Sequence, residues 1–223
     1  MKKVIRFAIY FLGLATLSLG VVLNTKTTLG VAPINSIAVC VTVLSGISLG
    51  NTTLGLHIVF VIGQAAIKRK NFKWYDLLQV PVSVVFSMFI SLYDGMLQLN
   101  PEAIWAKLAI LAAACILTGI GLSMILDMRI VPCAPDGLTL AFADALGRET
   151  GFVKNIFDFA CVLVTVAIGL VFGGRVIGIG AGTIVTMIAV GRIVWFFNRL
   201  FKNKILAIAG MEEREITQVE EEV

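Results

Sequence analysis

Four stretches of this chain, Phe7–Leu23, Leu77–Tyr93, Leu108–Leu126 and Val176–Gly191, contain no Asp, Glu, Lys or Arg. At about 16–19 residues each they approach the roughly 20 apolar residues that carry a helix across a bilayer. Hydrocarbon offers backbone N–H and C=O groups no partner, so such runs must satisfy them internally. The alternating pattern of a membrane β-barrel is absent. The chain is 58% hydrophobic and only 14% charged, with a mean hydropathy of +0.96; a soluble domain carries about a quarter charged residues. The reading is an all-α polytopic membrane protein.

The net charge of +4 therefore speaks of orientation in a membrane. Nucleic acid is excluded as a partner, because the basic residues sit in loops without interleaved aromatics or a soluble domain. The four cysteines (Cys40, Cys115, Cys133, Cys161) lie in or beside apolar segments without CxxC or histidine spacing. They read as small hydrophobes, with no metal, cofactor or disulfide framework. The start, Met-Lys-Lys-Val-Ile-Arg, resembles a signal n-region. The apolar run behind it is long and lacks an Ala-x-Ala site, so it is read as a retained first helix.

One pattern is written twice. Asn24-Thr-Lys-Thr-Thr-Leu-Gly-Val-Ala-Pro-Ile-Asn35 finds its echo in Asp127-Met-Arg-Ile-Val-Pro-Cys-Ala-Pro-Asp-Gly137. Each copy follows a glycine-bearing apolar run, opens with a polar residue and a cation, and reaches Ala-Pro. Each then enters a short apolar segment closed by Gly46 or Gly147, with a further glycine at Gly50 or Gly151. Matching Lys26 to Arg129 requires one gapped residue. The order of features marks an internal duplication, and the expected units are 1–100 and 101–205, followed by an acidic cytoplasmic tail, 206–223.

Whether the two short segments cross the bilayer decides the architecture. Pro33–Gly46 and Pro135–Gly147 would reach only about 20 Å as helices, against about 30 Å of hydrocarbon. Asp136 and Asp144 in the second are costly against lipid. With six crossings and a cytoplasmic N-terminus, fifteen Lys/Arg fall inside and three (Lys26, Lys107, Arg175) outside; eight crossings give eleven and seven. The positive-inside rule favours six, with both termini cytoplasmic. Three crossings per half make the halves inverted repeats with matching broken or re-entrant helices, an arrangement that points to a transporter site near the midplane. The alternative is eight spans in parallel repeats.

Proline suits the first turn of a helix, so Pro33 and Pro135 are expected to start short helices whose N–H groups and partial positive charge face inward. Asn35, Ser36 and Asp136 sit beside those ends. The motif's polar heads, Lys26, Asp127 and Arg129, complete the expected substrate-binding set. Asn35 and Asp136 could instead simply cap backbone. His57 and Asp158 are ionisable groups within hydrophobic runs, at matching places when Gly46–Gly50 is laid on Gly147–Gly151. Both are candidates for proton coupling. A satisfied core histidine, and an i,i+4 pair of Asp158 with Lys154, are the bland alternatives. Arg192 is read as snorkelling to the cytoplasmic face. No HExxH, Gly-x-Ser-x-Gly or Walker loop is present, and the chain is not read as an enzyme.

At its Gly-rich first helix, Leu29-Gly-Val-Ala-Pro33, Asp76-Leu-Leu-Gln-Val-Pro-Val-Ser83 and Gly178-Ile-Gly-Ala-Gly-Thr183, the chain resembles the YitT/YczE-type bacterial multipass membrane proteins. The likeness spans about Phe7–Phe197 and is stronger to the YczE-like branch, which lacks a soluble C-terminal domain. The resemblance implies an internal duplication and a bacterial plasma-membrane location, and no settled substrate. The expected function is that of a small-solute transporter or channel working at the two Ala-Pro ends. The alternative is a non-transporting accessory protein. The expected partners are the lipid bilayer, an unidentified small solute and, as an open possibility, a second copy of the chain.

Overall fold

The computed structural model describes residues 2–210. The expected glutamate-rich tail from Met211 lies outside them. Among the described residues all regular structure is helical: α1 (Lys2–Lys26), α2 (Pro33–Ser45), α3 (Leu49–Lys68), α4 (Gln79–Met96), α5 (Ile104–Met128), α6 (Ala134–Leu146), α7 (Thr150–Gly173) and α8 (Ala181–Ala209). Two 3-10 turns, Arg69–Asn71 and Trp74–Leu78, join α3 to α4. Six helices are long and apolar enough to span a membrane. The two begun by Ala-Pro have 13 residues each, about 20 Å of helix. Both end at a glycine in the left-handed region, Gly46 at φ 73° and Gly147 at φ 60°, where a side chain would strain the backbone. α8 continues to Ala209, beyond the residue-205 boundary expected for the second unit.

The two halves meet across α1 and α5. A methyl group on Gly20 would lie 2.5 Å from Thr118 Oγ1 and 2.9 Å from the Ala114 carbonyl; one on Gly121 would lie 2.5 Å from Leu17 N and 2.8 Å from the Gly13 carbonyl. Gly20 and Gly121, Leu17 and Thr118, and Gly13 and Ala114 are all 101 positions apart. Each contact is therefore exchanged with its counterpart, as a two-fold axis requires. Moving up α1 from Gly13 to Gly20, the α5 partners descend from Ile125 to Ala114, so the helices are antiparallel. The glycines let the backbones touch.

The same axis governs the ends. Arg6 donates from Nε and Nη2 to the Met128 carbonyl at 2.8 and 2.6 Å, satisfying the C-terminus of α5. Lys107, 101 positions on, donates to Thr28 Oγ1 at 3.0 Å just beyond the end of α1. Thr28 and Arg129 match again, both with positive φ, 58° and 45°. The structural register is thus a uniform shift of 101 residues. The gapped match of Lys26 with Arg129 is replaced by Thr28 with Arg129.

The packing partners are exchanged in the same way: α2 lies on α7, and α6 on α3. Lys26 at the end of α1 pairs with Asp94 near the end of α4 at 2.6 Å. Gly50 in the first turn of α3 packs against Ser87 and Ser91 of α4, close to that same end. The end of α1 and the start of α3 therefore share one face, so α2 turns back to the face it came from. It is re-entrant, and the eight-span arrangement does not occur. Lys2 touches Gly210, placing both described termini on the opposite face.

The symmetry fails most plainly between the third and fourth helices of each half. α3 and α4 pack closely, whereas their counterparts α7 and α8 hardly touch. Gly50 is pressed against α4, but at Gly151 an added methyl would meet nothing within 4 Å.

Candidate functional site

The space left by that failure is a cavity of about 440 Å³, to which all eight helices contribute. Its walls hold the starts of both short helices: Pro33 and Asn35 of α2, and Pro135 and Asp136 of α6. Neither helix has a side-chain cap, so first-turn N–H groups are left without the usual oxygen partner. His57 and Asp158 reach the same cavity from α3 and α7. The remaining wall is largely aliphatic, with Leu17, Val21, Leu122 and Val190 among its members.

The two ionisable groups, equivalent by the 101-residue shift, are treated differently. His57 is 4% exposed. Its Nδ1 lies 3.1 Å from Ser83 Oγ, and its ring stacks on Phe86 at 5.5 Å and 9°. It is a satisfied aromatic member of the α3–α4 contact at the cavity wall. Asp158 has a buried Oδ1 with no hydrogen-bond partner among the described residues. The helical pairing expected from Lys154 goes elsewhere: Lys154 Nζ reaches Asp136 Oδ1 at 3.7 Å, joining α7 to α6. Lys154 thus makes a contact between helices in place of the i,i+4 pair within its own helix.

Four residues of the expected site lie elsewhere. Lys26 is held by Asp94. Ser36 is fully buried and bonded to Thr165 Oγ1 at 2.7 Å, within the α2–α7 contact. Asp127 and Arg129 close α5, where Arg129 serves as its C-cap, and neither lines the cavity. These ends of the motif shape the entry and exit of the broken segments. Sequence reasoning treated Lys154 only as a partner for Asp158 and did not single out Phe86 and Met187. Phe86 and Met187 are again 101 apart and line the cavity from α4 and α8. The shift of 101, once known, finds them.

A second polar cluster lies at Gly137. A methyl there would fall 2.7 Å from both Gln79 amide atoms and 2.9 Å from Gln64 Oε1. All three of those atoms are buried without a hydrogen-bond partner. Gln64 Nε2 donates to Asp76 at 3.3 Å, and Lys68 Nζ meets the same carboxylate at 3.1 Å.

Comparison with known proteins adds a family and little chemistry. Residues 4–199 match the profile of DUF6198, described as a family of unknown function. The uncharacterized protein YyaS of Bacillus subtilis (strain 168) is 23% identical over 203 residues, covering 91% of this chain and 96% of its own length. No solved structure matches the chain.

Proposed function

This chain belongs to the DUF6198 family of unknown function, and from that premise we propose that it is a small-solute transporter or channel of the bacterial plasma membrane. One observation carries the reading. A cavity with a few polar groups on a largely apolar wall lies between two inverted halves, at the uncapped starts of both broken helices, and holds a carboxylate, Asp158, with one buried oxygen that has no hydrogen-bond partner among the described residues. A buried carboxylate oxygen without a partner costs stability, and membrane proteins keep such groups where an ion or solute meets them. The likeness to YitT/YczE-type proteins supports the same location. In this reading the face bearing Lys68–Lys73 and both termini is cytoplasmic, as its basic residues favour.

Side-specific labelling tests the proposal without knowledge of the solute. Asn35→Cys is introduced into a variant lacking the native cysteines and exposed to a membrane-impermeant maleimide in right-side-out and inside-out vesicles. Labelling from both sides is expected of a pathway that reaches both. Labelling from one side only, or from neither, overturns it and favours an accessory membrane protein.

A further inference from the structure

The charges in the cavity do not balance. Besides the Cys133 thiol, its ionisable lining residues among those described are two carboxylates, Asp136 and Asp158, one ammonium, Lys154, and His57. Lys154 forms its ion pair with Asp136, and His57 is engaged with Ser83. Among the described residues Asp158 Oδ1 is left without a partner, and no arginine or second lysine lines the wall. In a low-dielectric setting the missing charge is worth more than it would be in water, and the group that would satisfy Asp158 is a cation supplied from outside.

The rest of the wall suits an apolar body. Leu17, Val21, Leu122, Met187 and Val190 line the same cavity as the carboxylate, with Phe86 also in the wall. The cavity is also accessible between α7 and α8. Glycines face it from both helices, Gly151 and Gly191, and at each an added methyl would meet nothing within 4 Å. On the same two helices Ile156, Phe159, Ile184 and Ile188 are exposed, so α7 and α8 present an apolar outer surface. A strongly hydrated ion gains little from such a route; a molecule with one charged end and an apolar remainder gains along its whole length.

We infer that the cavity takes an amphipathic organic monocation, its ammonium against Asp158 and its apolar part against the aliphatic wall, entering between α7 and α8. The inference rests on the reading of the cavity as a solute site and narrows it to a substrate class.

The test is calorimetric binding of 2-phenylethylammonium, of its neutral analogue 2-phenylethanol and of Na+ to the purified protein, to Asp158→Asn and to Asp158→Glu. The ammonium is expected to bind the native protein about tenfold tighter than the alcohol or better, a difference of about 1.4 kcal/mol. Asp158→Asn should erase that preference with alcohol binding unchanged, and Asp158→Glu should keep it in part. Equal binding of amine and alcohol, or a preference that survives Asp158→Asn, overturns the cation class. Na+ that displaces the amine at millimolar concentration only when Asp158 is present assigns the carboxylate to a metal cation and also overturns it. In either case, labelling of Asn35→Cys from both sides leaves the solute site standing. Absence of binding by all three probes together with absence of labelling removes both.

Discussion

The α3–α4 region and the α7–α8 region descend from one pattern and have become different things. In the first, the membrane-embedded ionisable group is His57, stacked on Phe86 and bonded to Ser83, with Gly50 tight against the neighbouring helix. In the second, Asp158 stands at the same place with an unpartnered oxygen, Met187 replaces the ring, and Gly151 faces open space. A duplicated scaffold needs only one half to be a rigid wall. The other half is then free to hold a cavity whose charges are unbalanced, because the stability it loses is offset by the sealed half and by the shared α1–α5 crossing.

The comparison is broken most severely at what the halves share. Gly20→Leu and Gly121→Leu each drive a side chain into the backbone or a side chain of the partner helix. Overpacking with no room to relax costs about 3 kcal/mol or more. Both variants are expected to lose most folded protein in detergent, and to equal extents, because the contacts are exchanged by the two-fold axis. A large loss in one with little in the other, read by thermal melts and size-exclusion profiles, contradicts that axis.

A smaller effect separates the two re-entrant helices. Ser36 and Gly137 are equivalent, and where Ser36 bonds Thr165, Gly137 leaves room for the Gln64 and Gln79 amides. Ser36→Ala removes the hydroxyl's contacts with Thr165 Oγ1 and with the Pro33 carbonyl, while Thr165 keeps its bond to the Cys161 carbonyl; the expected cost is about 1 kcal/mol. Gly137→Ala must push two fully buried amides aside and is expected to cost about 1–3 kcal/mol. Melting temperatures that fall in the opposite order show that the space at Gly137 is not held by those amides.

Much of the architecture was legible in the chain. The charge-free runs demanded helices long enough to span. The brevity of the two Ala-Pro segments and the placement of lysines and arginines made them re-entrant, and three crossings per half made the repeats inverted. Laying Gly46–Gly50 on Gly147–Gly151 found His57 and Asp158 as a pair. What stayed hidden depends on helices meeting. The true register of the connectors rests on positive φ at Thr28 and Arg129 and on Arg6 and Lys107 reaching across from the other half, none of which is written in local residue type. Lys26 finds Asp94 and Ser36 finds Thr165, 68 and 129 positions away, so polar residues of the motif were spent on structure. The looseness of α8 against α7 has no sequence signature at all, since both helices are apolar and rich in small residues.

The most direct test of the account is a pair of melting curves, His57→Ala and Asp158→Asn, in the same detergent. His57→Ala removes a stacked ring and leaves Ser83 without its partner, and is expected to lower stability by about 2–4 kcal/mol. Asp158→Asn removes a charge with one unpartnered oxygen at nearly constant shape, and is expected to leave stability unchanged or raise it by about 1 kcal/mol, as is common where a residue is retained for function. Opposite outcomes for two equivalent positions are what one sealed half and one working half require. Destabilisation of both variants by similar amounts would contradict it and return Asp158 to the role of a structural residue.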